Sequence, residues 1–543
     1  MKKSFRILAL LLVLVLASSI ALVGCGDSTE ESGKYLRLAK DVELSSMDQH
    51  IATDGLAFET IAATIEGLYS LDAAGNTIPA IALSHDVSDD GLKYTFKLRE
   101  NAKWSNGDKV TANDFVFSWR RLVNPNTASE YNFIADVAGL KNAAKIVDGE
   151  LPKEELGVKA LDDHTLEVEL ERPTPYFISL TAFATFFPLN EEFVTEKGDQ
   201  YALNPENILS NGPFKMVEWN KGYGYKLNKN TDYYDAENVK VDGLEFRIIK
   251  DPQTAVLKFD SDELDVVKLS AELVEKYKSD ESFKLIGAGY LWYMSFNQET
   301  ELFKNVNMRK AFSHAVDKSH IADNILNDGS LVADFIVPIG LATGPDGKDF
   351  RDEAGTYSQY DKALALDYWN QAKSELGKEE LEVEVLFDDS ETVKKMAEFI
   401  QAELETNLPG LTVKLKSQPK KNRLALMRSG DFELGLTRWG PDYSDPLTYL
   451  ELFITDGSSN SPNYSSQVYD DLVYSASRGD LSSDPIGRWE AMIEAERVLL
   501  EEDAAVGPLY QRGYAFLINS KVTGIEDHVV GTPFIYKSVE ISE

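Results

Sequence analysis

Leu98 to Pro125 reads LRENAKWSNGDKVTANDFVFSWRRLVNP, a stretch that passes from a strand through a tight turn into a capped helix. Just upstream, Lys93-Tyr94-Thr95-Phe96-Lys97-Leu98 alternates with period two, the signature of a half-buried strand. Asn106-Gly107 is a turn signal. Thr111-Ala112-Asn113-Asp114 supplies an N-cap hydroxyl with a carboxylate three residues on. Phe115, Val116, Trp119, Leu122 and Val123 then recur at helical spacing, which predicts an amphipathic helix with an aromatic stripe to bury.

The same grammar extends outward. His164 to Leu170 (HTLEVEL), Leu381 to Leu386 and Leu411 to Leu415 alternate as strands. Asn307 is positioned to cap a helix carrying Met308, Ala311, Phe312, Ala315, Val316 and Ile321 on one side. Asn211-Gly212-Pro213 and Pro345-Asp346-Gly347 add turns. Strand and helix signals alternate from Tyr35 onward, which gives an α/β class. A chain of 543 residues exceeds one core, so two or three lobes are expected. No low-complexity linker separates them, which implies lobes joined by short crossing strands.

Charge narrows the partners. There are 55 Lys+Arg against 90 Asp+Glu, a formal charge of −35. Such a surface repels phosphate backbones and excludes nucleic acid as a natural partner. Its plainest role is a solvated exterior. At the N-terminus, Lys2, Lys3 and Arg6 precede an apolar run from Ile7 to Val23 that ends in Leu22-Val23-Gly24-Cys25. A transmembrane anchor is one reading of such a run. Gly24 directly before the only cysteine, with Leu22 at −3, instead resembles the lipobox of bacterial lipoprotein signal peptides. That resemblance implies cleavage after residue 24 and a diacylglyceryl thioether on Cys25. The mature chain is then tethered by two acyl chains, enough for stable anchoring. Ser28 to Gly33 (STEESG) reads as a polar tether within residues 25–34. Losing three cations and no acid moves the formal charge from −35 to −38. With Cys25 modified, no thiol remains for disulfide, redox or metal chemistry.

Catalytic signatures are missing. Six histidines form no H-E-x-x-H, and His314 and His320 lie six apart, off a common helical face. Neither G-x-x-x-x-G-K-[ST] nor G-x-S-x-G occurs. Asp346, Asp349, Asp352 and Glu353 lack EF-hand spacing and read as an exposed acidic loop. No metal, no cofactor and no enzyme activity is expected. A glycosidase, which needs only two carboxylates, is the enzyme class this composition hides best.

The motif W-S-N-G-D-x-V-T-A-x-D-F inside Leu98–Pro125 resembles the family 5 extracellular solute-binding proteins, the oligopeptide- and dipeptide-binding components of ABC importers. Asn211-Gly212-Pro213-Phe214-Lys215, Met308 to Lys318 (MRKAFSHAVDK) and Pro508-Leu509-Tyr510-Gln511 match in the same order. The resemblance implies a periplasmic-binding-protein-like two-lobed α/β fold (class II, cluster C) with an extra subdomain in the first lobe. It places lobe 1 at 35–66, 188–288 and 509–543, the inserted subdomain at 67–187 and lobe 2 at 289–508. It implies a monomer that captures an oligopeptide between the lobes and hands it to ABC permease subunits. The setting is the outer face of a bacterial cytoplasmic membrane. Anchoring, acidity and the absence of a disulfide pair fit a Gram-positive cell. A non-peptide solute or a peptide-pheromone receptor is the alternative within the same fold.

Arg438-Trp439-Gly440-Pro441-Asp442-Tyr443-Ser444-Asp445-Pro446 carries the implied site. A peptide entering a closed cleft must bury its α-ammonium, and an unpaired buried charge is costly. In related binders the aspartate of W-x-x-D-Y meets that charge, and Asp442 occupies its place. Trp439 is then an apolar wall, with Gly440 and Tyr443 beside it, while Asp445 before Pro446 caps a turn. Asp54 and Tyr131 fall in regions that contribute to the cleft in relatives. The basic residues that hold ligand carboxylates in some relatives are replaced here by Val393 and Leu436. Arg428 and Arg438 lie nearby but out of register. Main-chain hydrogen bonding can hold the rest of a peptide, with watery pockets accepting varied side chains.

Overall fold

Two strands are far longer than the rest: Phe283–Phe296 runs for 14 residues and Val506–Ile518 for 13, against about 5–6 in an ordinary strand. A computed structural model of the chain describes residues 33–457 and 459–542. Cys25, the leader ahead of it and residues 25–32 of the tether lie outside the described residues. The long strands sit at the centre of an eleven-stranded sheet. On one flank come Leu434–Trp439, Leu381–Asp388 and Leu411–Gln418. On the other come Val266–Lys268, Tyr35–Lys40, Gly243–Ile248, Gly224–Lys229 and Phe214–Asn220. Leu331–Val332 pairs off this path with Val506–Ile518.

The two long strands pair with each other, and each lends its C-terminal half to one flank. Leu291–Phe296 pairs with Leu434–Trp439, whereas Phe516–Ile518 pairs with Val266–Lys268. Between those halves the ladder slips. Gly287 lies opposite Gly513 but Leu291 lies opposite Gln511, leaving Ala288, Gly289 and Tyr290 in a bulge. A bulge bends its strand and re-aims the side chains it contains. Glycine is required at 289 because a Cβ there would collide with the Val529 carbonyl and the Pro441 ring. The mixture of parallel flank pairs and an antiparallel centre makes the α/β class a mixed sheet rather than a purely parallel one.

The W-S-N-G-D stretch belongs to a separate four-stranded sheet of Ala82–Val87, Lys93–Leu98, Thr165–Glu169 and Val158–Asp162. Its alternation is realised: Tyr94, Phe96 and Leu98 are buried while Lys93 and Lys97 face solvent. Trp104 and Trp119 are both essentially inaccessible. Between them Gly107 adopts φ +96°, and the Thr111 N–H donates to the Asp114 carboxylate at 2.6 Å, closing the expected cap of helix Ala112–Val123. That helix docks by polar contacts as well as by its apolar stripe. The Trp119 Nε1–H donates to the Phe186 carbonyl at 2.8 Å, and Arg121 makes a bidentate pair with Asp48 at 2.8 and 2.6 Å.

One expected cap moves. Asn305, not Asn307, caps Val306–His314, accepting from the Met308 N–H at 3.0 Å. Asn307 already lies in the first turn, where its amide donates to Glu375. The helix stops at His314, and Ala315, Val316 and Ile321 are buried beyond it.

Burial works against the Asp48 carboxylate, but Arg121 outweighs it and leaves the pKa lowered. Arg121→Met strands this charge and is expected to cost about 3–5 kcal/mol at pH 7 in urea denaturation. A carboxylate with a depressed folded pKa contributes stability above its unfolded pKa of about 4. Without Arg121, burial raises the same carboxyl, so the deficit should be full at pH 8 and close progressively as falling pH protonates it.

Candidate functional site

The Gly287–Leu291 bulge opens onto two adjoining cavities. The larger has a volume of about 1330 Å³ and reaches from Asp442 toward Asp388, Ser390 and Val393. The smaller, about 500 Å³, lies between helix Gly55–Thr64, the bulge and the C-terminal segment around Val529–Tyr536. Tyr131, Tyr290, Pro441, Asp442 and Tyr514 line both.

Strand Leu434–Trp439 delivers the motif to this junction. Its loop is fixed by several contacts: the Asp442 N–H donates to the Thr448 hydroxyl at 3.0 Å, and the Tyr449 hydroxyl lies 3.0 Å from the Trp439 carbonyl and against that of Gly289. Gly440 has no room for a side chain, since a Cβ would strike the Tyr290 ring. Trp439 lines the larger cavity, and its buried Nε1–H has no hydrogen-bond partner among the described residues.

Two carboxylates of this loop have opposite environments. Asp445 is neutralised by Arg488 at 2.8 and 3.1 Å and accepts from the Leu447 N–H at 3.0 Å, a turn cap as expected. Asp442 has no ion-pair partner among the described residues, and burial alone pushes its carboxyl up to about 6. Nothing among the described residues offsets the desolvation of that charge. Nearby, burial and then the Asp442 charge push the Tyr131 phenol up to about 12. Tyr131 packs edge-on against Phe58 at 5.3 Å between ring centres, so it is both core and cavity wall.

Other expected residues are dispersed. Tyr443 lines neither cavity: it stacks on Tyr176 at 4.0 Å and its hydroxyl donates to Glu451 at 3.2 Å, bracing the loop from behind. Arg428 sits exposed in the last turn of helix Lys420–Arg428, away from both cavities. Asp54 borders the smaller cavity, but its carboxylate is engaged as the cap of Gly55–Thr64, accepting from the Ala57 N–H at 3.0 Å. Arg438 does line the larger cavity, its guanidinium 5.0 Å from the Trp292 ring centre.

The larger cavity also contains cations that the sequence reading passed over. Arg423 is fully buried against Asp388 at 2.9 Å and donates to the Thr437 hydroxyl at 2.6 Å. Met427, one turn on and buried, marks its helix face and is the signal that could have found it. Arg438 reaches the same Asp388 only at 3.9 Å, so two guanidinium groups share one carboxylate. Arg512 pairs with Asp328 at 2.9 Å, and Lys268, with its pKa lowered by burial, lies 3.8 Å from Asp41. Leu436 is buried in the sheet opposite Met294 and faces no cavity. Among the described residues no cluster of His, Cys, Asp and Glu is arranged to hold a metal ion.

Comparison with known proteins places this architecture. Residues 76–461 match the bacterial extracellular solute-binding proteins, family 5 Middle. The dipeptide-binding protein of Lactococcus lactis is 33% identical, over 99% of this chain and 100% of its own length. The structure of Listeria monocytogenes OppA bound to peptide is 40% identical, covering 94% of this chain and 100% of that one with a TM-score of 0.73. The unliganded open form of the periplasmic murein tripeptide-binding protein MppA is only 26% identical, yet superposes with a TM-score of 0.80 over 94% of this chain and 98% of that one. The chain belongs to the bacterial extracellular solute-binding proteins of family 5.

Proposed function

We propose that the protein captures oligopeptides between its lobes outside the cell and delivers them to an ABC permease, with Asp442 pairing the ligand's α-ammonium. The observation that carries this reading is the uncompensated Asp442 carboxylate at the junction of both cavities. Every free peptide brings an ammonium group regardless of sequence, so one fixed anion serves a broad ligand set. The names of the relatives, dipeptide- and oligopeptide-binding proteins, point the same way. Trp439 and Gly440 shape the wall beside the first residue. Arg438, 3.9 Å from an Asp388 carboxylate already held by Arg423, is a cation available to meet a ligand carboxylate. Residues 35–66, 188–288 and 509–543 would move as one lobe carrying the insert 67–187, and 289–508 as the other, closing about the central bulge. Diacylation of Cys25 would hold the chain at the membrane. The task is binding rather than chemistry, so ligands eluted from the protein should be chemically unchanged by mass spectrometry.

Asp442→Ala should weaken free-peptide binding by about 3–5 kcal/mol, because the ligand's ammonium is then buried unpaired. N-acetylated peptides should bind the native protein as poorly. Equal affinity for acetylated and free peptides in calorimetry would refute the role of Asp442.

The pH dependence has a fixed sign. The empty site holds its proton up to about pH 6, and an arriving ammonium favours the ionised form. Affinity should rise as pH climbs from 4.5 to about 7 and fall again near pH 8 as the ligand's α-ammonium loses its own proton, with proton release on binding at pH 5.5 and uptake at pH 8. Calorimetry in buffers of different ionisation enthalpy reads this directly, and the acid-side slope should vanish in Asp442→Asn.

Anchoring is tested separately. Cys25→Ser should abolish incorporation of labelled fatty acid and release the protein into the culture medium.

A further inference from the structure

Side chains hold the break in the central ladder. Ala288 and Gly289 lie in the slip, without a register partner on Val506–Ile518. The Ala288 carbonyl accepts instead from the buried Gln511 amide at 3.2 Å. That amide also exchanges two bonds with Ile339, accepting from its N–H at 2.8 Å and donating to its carbonyl at 3.0 Å. The Gly289 carbonyl accepts from the Tyr449 hydroxyl, which also lies 3.0 Å from the Trp439 carbonyl.

Tyr449 is completely buried, and burial pushes its phenol well above the usual range, so the hydroxyl keeps its proton and acts as a donor. One proton thus serves two carbonyl oxygens, one in the bulge and one at the end of strand Leu434–Trp439. Without it those oxygens would lie near each other as unpaired dipoles of like sign, a costly arrangement away from water. The hydroxyl therefore sets the spacing between the bulge and the loop that starts at Gly440.

The preceding residue acts on the loop directly. Thr448 is buried, and its hydroxyl accepts from the Asp442 N–H at 3.0 Å. Both residues stand on the short helix Leu447–Leu450, whose first N–H donates to Asp445, itself paired with Arg488. The Asp442 carboxylate has no such guide, because burial is the only resolved influence on it. Its direction is inherited from the loop backbone. Neither Thr448 nor Tyr449 lines either cavity, so both act through Asp442 rather than on a ligand.

We propose that Thr448 and Tyr449 are positioning residues for capture of the ligand's ammonium, a role that rests on the reading of Asp442 as its anchor. Together they form a bracket that ties the loop to the ladder break and aims the Asp442 carboxylate into the cleft.

A double-mutant cycle on the intact chain tests the bracket, by calorimetry with a mixed pentapeptide library carrying free or acetylated N-termini. Tyr449→Phe keeps the ring and removes the hydroxyl. It should weaken the free library about tenfold, the scale of one lost buried hydrogen bond, and leave the acetylated library unchanged. In an Asp442→Asn background the same substitution should change free-library affinity less than about twofold. Thr448→Val should show the same pattern, and it decides the matter if Tyr449→Phe fails to fold. Tyr464→Phe is the control. It strips another buried phenol of its bond, to Asp503 at 2.7 Å, at a position that lines neither cavity. It should lower the melting temperature and leave the free-to-acetylated ratio intact. Equal losses for free and acetylated libraries, or losses that add to that of Asp442→Asn, overturn the bracket while the Asp442 reading stands. If Asp442→Asn alone leaves free-library affinity unchanged, the ammonium reading falls and the bracket with it.

Discussion

Everything in this molecule is arranged around one constraint: the central strands must stay hydrogen-bonded while joining two halves. Phe283–Phe296 and Val506–Ile518 meet it by pairing with each other along nearly their whole length and lending different ends to the flanking strands. The mismatch between those two duties collects in the Gly287–Leu291 bulge. Bending there breaks few ladder bonds, and the displaced Tyr290 turns into the space between the halves. The cleft and the break in the ladder are therefore the same few residues. Gly289 is small because Val529 and Pro441 approach it, and Gly440 because Tyr290 does.

The electrostatics of the motif loop follow from that placement. Asp445 and Asp442 are three residues apart and equally acidic in isolation. One faces the helix that carries Arg488 and is neutralised within the protein. The other faces the cleft, where burial is its only resolved influence. A fully matched Asp442 would stabilise the empty protein and have nothing to offer a ligand. Leaving it unmatched costs up to about 3 kcal/mol when ionised, from a rise of roughly two pKa units at about 1.4 kcal/mol each. That cost is what an arriving cation removes.

Much of this was legible in the residues. The strands at Lys93–Leu98 and Leu411–Gln418 follow from alternation, because one face meets a core and the other meets water. Leu381–Asp388 alternates only through Val385, after which Leu386, Phe387 and Asp388 are all buried. The Thr111 cap follows from local hydrogen-bonding chemistry. The Asn305 cap was missed because Asn305 and Asn307 are equally good local candidates, and both amides donate to the same distant Glu375. The site was less legible for the same reason. Tyr443 and Arg428 are near the motif in sequence, but strand and helix geometry turns them elsewhere. Arg423, Arg512 and Tyr514 reach the cavity from separate segments that meet only in the folded sheet. Proximity in sequence served Asp442 and Trp439, which share one loop, and failed wherever the cleft is built across the fold.

The proposed role of Asp442 has a physical rationale in how binding energy can be distributed. A charge pair there would be common to all free peptides and so would add affinity without discrimination. Elsewhere the larger cavity carries shared carboxylates, such as Asp388 between Arg423 and Arg438. Water bridging such groups would be rearranged for each new side chain at little free-energy cost. A binder of many sequences gains from placing its strong contact on the one group that every ligand carries, because closure then needs no match along the rest of the ligand.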